Sequence, residues 1–382
     1  MATALRVKIL ELGKFYAPER GGIETLLRSL CEGFVGLGAE VDCVVANRTF
    51  RTVHETLAGV RVHRLASWRE AMSISLTPRY PFATRRFRAD LWHAHFPNPL
   101  ADLAAVFGPR RTPLILSWHS DIVRQKAALR FYLPLQRALL RRATRIVVAT
   151  PYHLEYSSYL PEFGSKCVVI PYGLNLDRFE LDADGRARVA SLRREAGGRR
   201  ILLNVGRLVG YKGHRYALLA LQQLPSAVLW LVGTGPLEFE LRALAGELGV
   251  TDRVRFWGDI SDKDLPRFFH ACDVFVFPSI SPNEAFGLVQ VEAMACGKPV
   301  IACQLRSGVP YVCGDGISGL TVPPANPDGL ADAVNRLLSN DAYCLQLGAA
   351  GRRRAHAEFS ELVMVQRYWD LIKDLVAERA YS

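Results

Sequence analysis

Short apolar runs alternate with stretches of helical spacing along the whole chain, and the alternation breaks once, at Pro171-Tyr172-Gly173. An apolar run bounded by turn residues and followed by a helix-length segment is the pattern of a parallel sheet with helical crossovers. Before the break it predicts strands at Val7–Leu12, Val41–Ala46, Leu91–Phe96, Leu114–Trp118, Ile146–Ala149 and Val168–Ile170, with helices near 23–37, 100–107 and 122–142. After it, strands are predicted at 201–205, 228–232, 254–257, 274–277, 299–303 and 320–322. Helices are predicted there near 213–224, 236–248, 263–271, 287–296, 327–339 and 341–357. A length of 382 residues exceeds one ordinary core and suits two α/β domains, expected at 1–172 and 173–361. A last amphipathic helix is expected over 362–381.

Composition excludes several classes. A hydrophobic content of 49% with 22% charged residues is that of a globular chain, not a disordered one. The eight cysteines form no C-x-x-C pair and sit mostly in apolar surroundings, which reads as reduced, buried thiols of a cytoplasmic protein. The N-terminus looks like a first strand rather than a signal peptide, and no window reaches the length of a transmembrane helix. The net charge of +11 is uneven: residues 1–178 hold 25 Lys and Arg against 14 Asp and Glu, whereas residues 179–382 hold 23 of each. The excess is dense between Arg79 and Arg145, including Arg85, Arg86, Arg110, Arg111, Arg124 and Lys126. Such a field draws anionic partners, phospholipid headgroups or a polyprenyl diphosphate among them. The basic half carries no recognised nucleic-acid module, so no nucleic-acid partner is expected. The stretch 122–145 mixes seven cations with leucines, and fits either a membrane-surface helix or a core-facing helix with a solvated basic face.

Two clusters in the second half carry chemistry. Glu284 and Glu292 enclose Ala285-Phe286-Gly287-Leu288, a carboxylate ahead of a helix and another inside it. Carboxylates accept from sugar and ribose hydroxyls, while N–H groups at a helix start suit a diphosphate. The second cluster is an apolar run ending in Gly206-Arg207 and followed by Lys212-Gly213, two cations able to converge on one diphosphate. Each cluster follows a predicted strand, where open α/β sheets bind ligands. Gly233-x-Gly235 is a turn rather than a dinucleotide fingerprint, because Glu238 stands where the third glycine would fall. His93-x-His95 could supply half a metal site, but no carboxylate or cysteine lies near in sequence, and core or acceptor-side packing is the expected role.

Taken in order, these pieces resemble the GT-B glycosyltransferases of family 4. The set comprises Gly21-Gly22, Ser117-Trp118-His119-Ser120-Asp121, Ile170-Pro171-Tyr172-Gly173, Gly206-Arg207 with Lys212-Gly213, Gly233-Thr234-Gly235-Pro236-Leu237, Glu284 with Glu292, and Gly319 to Pro324. The resemblance spans roughly residues 7 to 330 and implies two Rossmann-like domains facing across a cleft, with the C-terminal helix at 362–382 crossing back to the N-terminal domain. It implies a retaining enzyme with a nucleotide-sugar donor, no bound metal and no other cofactor. By resemblance His119 lies beside the donor sugar, Glu284 contacts sugar hydroxyls and Glu292 the ribose. Arg207, Lys212 and the N–H groups of Phe286, Gly287 and Leu288 would hold the diphosphate, with Gly206 allowing close approach and Gly21 and Gly22 donating near the phosphates or acceptor. Asp121 is expected to cap the next helix or help place the acceptor, since the family uses no dedicated protein nucleophile.

The wording around His119 resembles transferases of lipopolysaccharide O-chain, capsule or exopolysaccharide assembly, several of them mannosyltransferases. The expected reaction moves a hexose, mannose from GDP-mannose in the first instance, to a lipid-linked saccharide at the inner face of the cytoplasmic membrane. A UDP-sugar donor is the alternative; of other classes, a sugar-nucleotide epimerase or a non-catalytic nucleotide-sugar or anionic-lipid binder would share the architecture. One departure from the family is Leu305-Arg306-Ser307-Gly308, where a Gly-Gly-x-x-Glu-like turn is usual, and Arg306 could add a phosphate contact or alter donor choice.

Overall fold

The computed structural model describes residues 6–19, 21–68, 70–71, 74–75, 77–122 and 126–380. The chain divides into two compact units, the first Met1–Gly173 with Glu361–Ser382 and the second Leu174–Ser360.

Unit 1 holds strands β1 (Lys8–Leu12), β2 (Glu40–Ala46), β3 (Val53–Leu57), β4 (Val60–Leu65), the short pair β5 (Glu70–Ala71) and β6 (Ile74–Ser75), β7 (Leu91–Phe96), β8 (Leu114–Trp118), β9 (Arg145–Val148) and β10 (Cys167–Val169). Between them run α1 (Gly22–Gly36), α2 (Tyr80–Ala83), α3 (Pro99–Val106), α4 (Lys126–Arg142) and α5 (Pro151–Tyr156). The main sheet has the order β10-β9-β8-β7-β1-β2-β4-β3, parallel except for β3. Strand order therefore reverses between β1 and β7. Side chains alternate across a sheet. Leu10, Leu12, Trp92, Ala94, Leu114 and Leu116 accordingly share one face and one core with Ala101, Ala104, Leu139 and Leu140 of α3 and α4.

Unit 2 holds β11 (Arg200–Val205), β12 (Ala227–Val232), β13 (Val254–Gly258), β14 (Val274–Phe277), β15 (Val300–Cys303) and β16 (Gly319–Val322) in the order β13-β12-β11-β14-β15-β16. All six are parallel, and the reversal falls between β11 and β14. This is the doubly wound dinucleotide-type order, whose ligand crevice lies at the carboxyl ends of the strands beside the reversal. Its helices are α6 (Ala183–Glu195), α7 (His214–Gln222), α8 (Glu238–Glu247), α9 (Leu265–Ala271), α10 (Leu288–Ala295), α11 (Val309–Cys313), α12 (Pro327–Leu338) and α13 (Asp341–Glu358). The chain then rejoins unit 1 as α14 (Glu361–Ala380), which buries Met364, Val365, Tyr368, Ile372 and Leu375 with Leu27, Leu30 and Phe34 of α1 over the second face of the first sheet.

The predicted strands all occur, within a residue or so at each end. The hairpin β3–β4 was not predicted, because its apolar positions alternate with Arg61, His63 and Arg64 and its turn, Ala58-Gly59, has one glycine where an Asn-Gly pair would have announced it. Also unpredicted is α6, which buries only Gly185 and Leu192 and so shows no apolar stripe. In the stretch 122–145, Val123, Arg124 and Gln125 lie outside the described residues. The later part of α4 buries Leu139 and Leu140 while Arg137 and Arg141 stay exposed, which is the core-facing arrangement. Two cations of the basic half are structural: Arg142 donates to the carbonyls of Pro109 and Thr112, and Lys166 to those of Leu140, Arg141 and Ala143 at the end of α4. Among the described residues no helix is long and apolar enough to cross a membrane, and all eight cysteines are free thiols.

Candidate active site

In unit 2 the loops leaving β11 and β14 meet at the strand-order reversal, and glycines make the meeting possible. Gly213 has φ +70°, and a Cβ there would lie 1.9 Å from the Pro278 carbonyl oxygen. Ile280 N–H donates to the Tyr211 carbonyl at 2.8 Å across the same seam. Gly233 and Gly235 likewise admit the backbone of Gly206 and Leu208, so Gly233-x-Gly235 is the turn its spacing suggested. The result brings Lys212 from one loop against Glu284 from the other, Nζ to Oε2 at 2.5 Å, with both side chains about six-sevenths buried at 15% and 13% exposure. Lys212 Nζ also stands 5.1 Å from the Phe277 ring centroid, and Ser279 Oγ donates to Glu284 at 3.3 Å.

Arg207 is exposed and its guanidinium has no partner among the described residues. Its backbone is fixed instead: His214 Nε2–H donates to the Arg207 carbonyl at 2.9 Å, and burial keeps that imidazole's pKa low and the ring neutral. Gly287, at φ +75°, turns the chain into α10. The N–H groups of Gly287 and Leu288 find no acceptor among the described residues, and Phe286 is buried behind them. Glu292, one turn into α10, pairs with Arg178 at 2.6 Å. Burial pushes its carboxyl up, the Arg178 guanidinium only partly offsets this, and the pKa settles at about 7. Arg178 was not expected from the sequence, because it lies within a single 3-10 turn, Asp177–Phe179, with no glycine or helix start to mark it. The Arg306 loop is tied to this site, since Gly308 N–H donates to the Ala285 carbonyl at 2.8 Å and leaves Arg306 exposed.

In unit 1 the reversal between β1 and β7 carries a buried polar network. Register aligns Glu11 with His93 and His95 with Ser117, so all four point to the face covered by α1 and α14. Glu11 receives His93 Nδ1 at 3.0 Å on one oxygen and His95 Nε2 at 3.2 Å on the other. His93 Nε2 meets Ser117 Oγ at 2.8 Å, which meets Tyr368 Oη of α14 at 2.7 Å. His95 Nδ1 meets His119 Nε2 at 3.1 Å, and His119 Nδ1 meets Tyr172 Oη at 2.8 Å. His93-x-His95 has no acidic neighbour in sequence but gains one in space. The carboxylate arrives from a neighbouring strand 82 residues earlier, and the three ligand atoms lie within 4.8 Å of one another. A clue was present: one carboxylate inside the apolar run Ile-Leu-Glu-Leu, in phase with Ile9.

Glu11 is fully buried, which raises its carboxyl, but the charge and hydrogen bonds of His93 and the hydrogen bond of His95 more than offset burial and hold it at about 2. Burial, with His93 beside it, lowers His95; burial lowers His119 further, with His95, His93 and His153 adding. Gly21 and Gly22 open α1, and Glu24 folds its carboxylate back over Gly21. That helix start is therefore already faced by an anion. Asp121 accepts from Trp118 Nε1, Ser157 Oγ and the Ser158 N–H at 2.8–3.0 Å, pinning two loops together; the residues that a helix cap by Asp121 would meet, 123–125, lie outside the described residues.

Two family models match the chain: the glycosyl transferase 4-like domain over residues 21–173 and the glycosyl transferases group 1 over residues 192–354. An O-antigen chain mannosyltransferase C of Escherichia coli is 31% identical over 98% of this chain and 100% of its own length. The chain belongs to the family 4-type, group 1 glycosyltransferases. A D-rhamnosyltransferase, WbpZ, of Pseudomonas aeruginosa is 32% identical over 93% of this chain and 92% of its own. A GDP-mannose-dependent phosphatidylinositol monomannoside mannosyltransferase of Mycolicibacterium smegmatis is 33% identical over 67% of this chain and 68% of its own. A solved sucrose-phosphate synthase of Thermosynechococcus elongatus superposes with a TM-score of 0.77 at 27% identity, covering 98% of this chain and all of that one. The glycosyltransferase therefore has the two-unit GT-B fold and is a hexosyltransferase.

Proposed function

We propose that this glycosyltransferase moves mannose from GDP-mannose to a lipid-linked saccharide in O-antigen or exopolysaccharide assembly, with retention at the anomeric carbon and without a metal. The observation that carries the donor half is the Lys212–Glu284 pair at the β11/β14 reversal. A cation and a carboxylate held against each other are the two groups a sugar diphosphate would separate, the phosphate taking Lys212 and the sugar hydroxyls donating to Glu284. Arg207 and the open N–H groups of Gly287 and Leu288 would offset the rest of the negative charge that grows on the departing diphosphate, so that on this reading no divalent cation is required. Glu292 would accept from the ribose, displacing Arg178. His119 would stand beside the reacting sugar. The sugar itself has a second candidate, D-rhamnose, favoured by the rhamnosyltransferase relative.

The basic surface of unit 1 would meet the acceptor's diphosphate and the anionic inner leaflet of the cytoplasmic membrane. Exposed Phe82 and Phe107 flank Arg85, Arg86, Arg110 and Arg111 there. The test is a thermal-shift panel of GDP, UDP and ADP with their mannose, rhamnose and glucose conjugates, run with and without EDTA. A ligand that binds only the folded state must raise Tm. A shift with GDP species alone, unchanged by EDTA, supports the proposal; a shift with UDP species alone discards GDP-mannose. The anomeric configuration of the product, read by NMR, tests retention.

A further inference from the structure

The Glu11 network lies at the strand-order reversal of unit 1, where a doubly wound sheet binds what it binds, yet none of Glu11, His93 or His95 reaches solvent. Nothing in the donor chemistry of unit 2 requires it. An ionised carboxylate can only accept hydrogen bonds, and that fact fixes the protons along one branch. His95 must carry its proton on Nε2 to donate to Glu11, so His95 Nδ1 is bare. A bare Nδ1 must receive the bond from His119, so His119 carries its proton on Nε2. His119 Nδ1 is then bare and accepts from Tyr172 Oη, whose phenol burial keeps protonated. The His95 and His119 rings stack 5.3 Å apart and 9° from parallel, so the bonds set orientation as well as tautomer.

We infer that Glu11 is a positioning residue for His119: acting through His95, its buried carboxylate holds His119 as a single Nε2-protonated tautomer in one ring orientation. The inference rests on the proposed place of His119 beside the reacting sugar. With both nitrogens engaged, His119 offers the sugar a fixed surface and no free nitrogen to take a proton. The other branch, through His93 and Ser117 to Tyr368, ties the same carboxylate to α14, so docking of the C-terminal helix and the setting of His119 share one anchor.

The test uses the full chain labelled with 15N-histidine, whose ring signals report which nitrogen carries the proton. In the unaltered protein His95 and His119, assigned from His95→Gln and His119→Gln spectra, should each show a protonated Nε2 and a bare Nδ1. In Glu11→Gln the single His119 tautomer should be lost. The kcat for GDP release from GDP-mannose should then fall about tenfold or more through misplacement, while KM and the affinity for GDP stay within about twofold. A protonated Nδ1 on His119 in the unaltered protein overturns the inference, and that reading does not depend on Glu11→Gln folding. So does a stoichiometric transition metal replacing the ring protons, or a folded Glu11→Gln with unchanged kcat. Full turnover in His119→Ala would instead remove the proposed role of His119 while leaving the tautomer assignment standing, so the two failures are told apart.

Discussion

The two units place polar groups at the same topological position and build them oppositely. At the reversal of unit 2 the groups come as separate ion pairs, Lys212 with Glu284 and Arg178 with Glu292, each keeping some exposed surface, and the first is joined through loops that glycine brings together. At the reversal of unit 1 one carboxylate with no exposed surface serves two histidines, and the bonds run on through a serine, a third histidine and two tyrosines. Ion pairs at an edge can trade partners, because a phosphate or a hydroxyl can replace either member without leaving a buried charge alone. A sealed network cannot trade partners without stranding a charge, which is costly in a low-dielectric interior. The first arrangement suits ligand exchange and the second suits fixed geometry.

The comparison breaks most directly at Lys212. Lys212→Ala removes a cation from the site of developing negative charge, and turnover should fall by roughly 10²- to 10³-fold, the usual loss for one such donor. The fold should survive, because Glu284 retains Ser279 and a route to water. Circular dichroism and Tm check the fold while GDP release from GDP-mannose checks the rate. Full activity in Lys212→Ala would place the exchangeable pair outside the chemistry.

Gly213→Ala tests whether the loops of unit 2 depend on glycine. Its Cβ would strike the Pro278 carbonyl at a backbone angle that alanine adopts at a cost. A loss of about 1–3 kcal/mol in stability is expected, with weakened GDP binding as the seam at Tyr211 and Ile280 opens. Denaturant melts and calorimetric titration with GDP measure the two. An unchanged melt would show that the seam yields more easily than its geometry suggests.

The two buried carboxylates should also titrate in opposite senses. Glu292 has a folded pKa of about 7, above its ordinary value, so the stability it contributes is complete below about pH 4.5 and lost as pH rises through 7. Glu11, held at about 2, contributes stability above pH 4.5 that is lost as pH falls toward 2. Glu292→Gln should therefore gain stability over the parent between pH 5 and pH 8, by up to about 3 kcal/mol, while losing GDP affinity. In the parent, GDP affinity should grow as pH passes 7 and the carboxylate becomes free to accept from ribose. Equal pH slopes in parent and variant would contradict the burial argument.

These contrasts explain what could be read from the residues alone. The alternation of apolar runs marked all six strands of the second sheet and six of the eight of the first, missing the β3–β4 hairpin, because a buried parallel strand must be apolar on both faces. The exchangeable site was legible for the same reason that it works: its residues cluster in short loops after strands, so Gly206 to Gly213 and Glu284 to Glu292 are visible as local strings. The sealed site was not legible as a unit. Glu11, His93, His119, Tyr172 and Tyr368 come from five separate segments, and only the parallel register of β1, β7 and β8 makes neighbours of the first three. His93-x-His95 was visible as a pair on one face, but pairing with Glu11 is decided by which strand lies beside β7, and local spacing carries no record of that. Arg178 was hidden similarly, since its partner lies 114 residues away.

The smallest expected effect concerns the charge difference between the units. Unit 1 carries 27 Lys and Arg against 17 Asp and Glu, whereas unit 2 carries 21 against 20. If that excess serves an anionic surface, it should act through cations that hold no fold-building bonds. Arg142 and Lys166 are excluded, because both are spent on carbonyls at the ends of loops and helices. Arg85 and Arg86 are exposed beside Phe82, with the Arg85 guanidinium 5.6 Å from its ring centroid. Arg85→Ala with Arg86→Ala should change Tm little, since surface substitutions of this kind stay within about 0.5 kcal/mol. Binding to vesicles containing anionic phospholipid should weaken by about 1 kcal/mol per arginine, and rising salt should erase the difference between parent and variant. Cosedimentation at two ionic strengths measures it. Equal binding by parent and variant at low salt would detach the charge of unit 1 from any membrane role and leave the acceptor's diphosphate as its remaining partner.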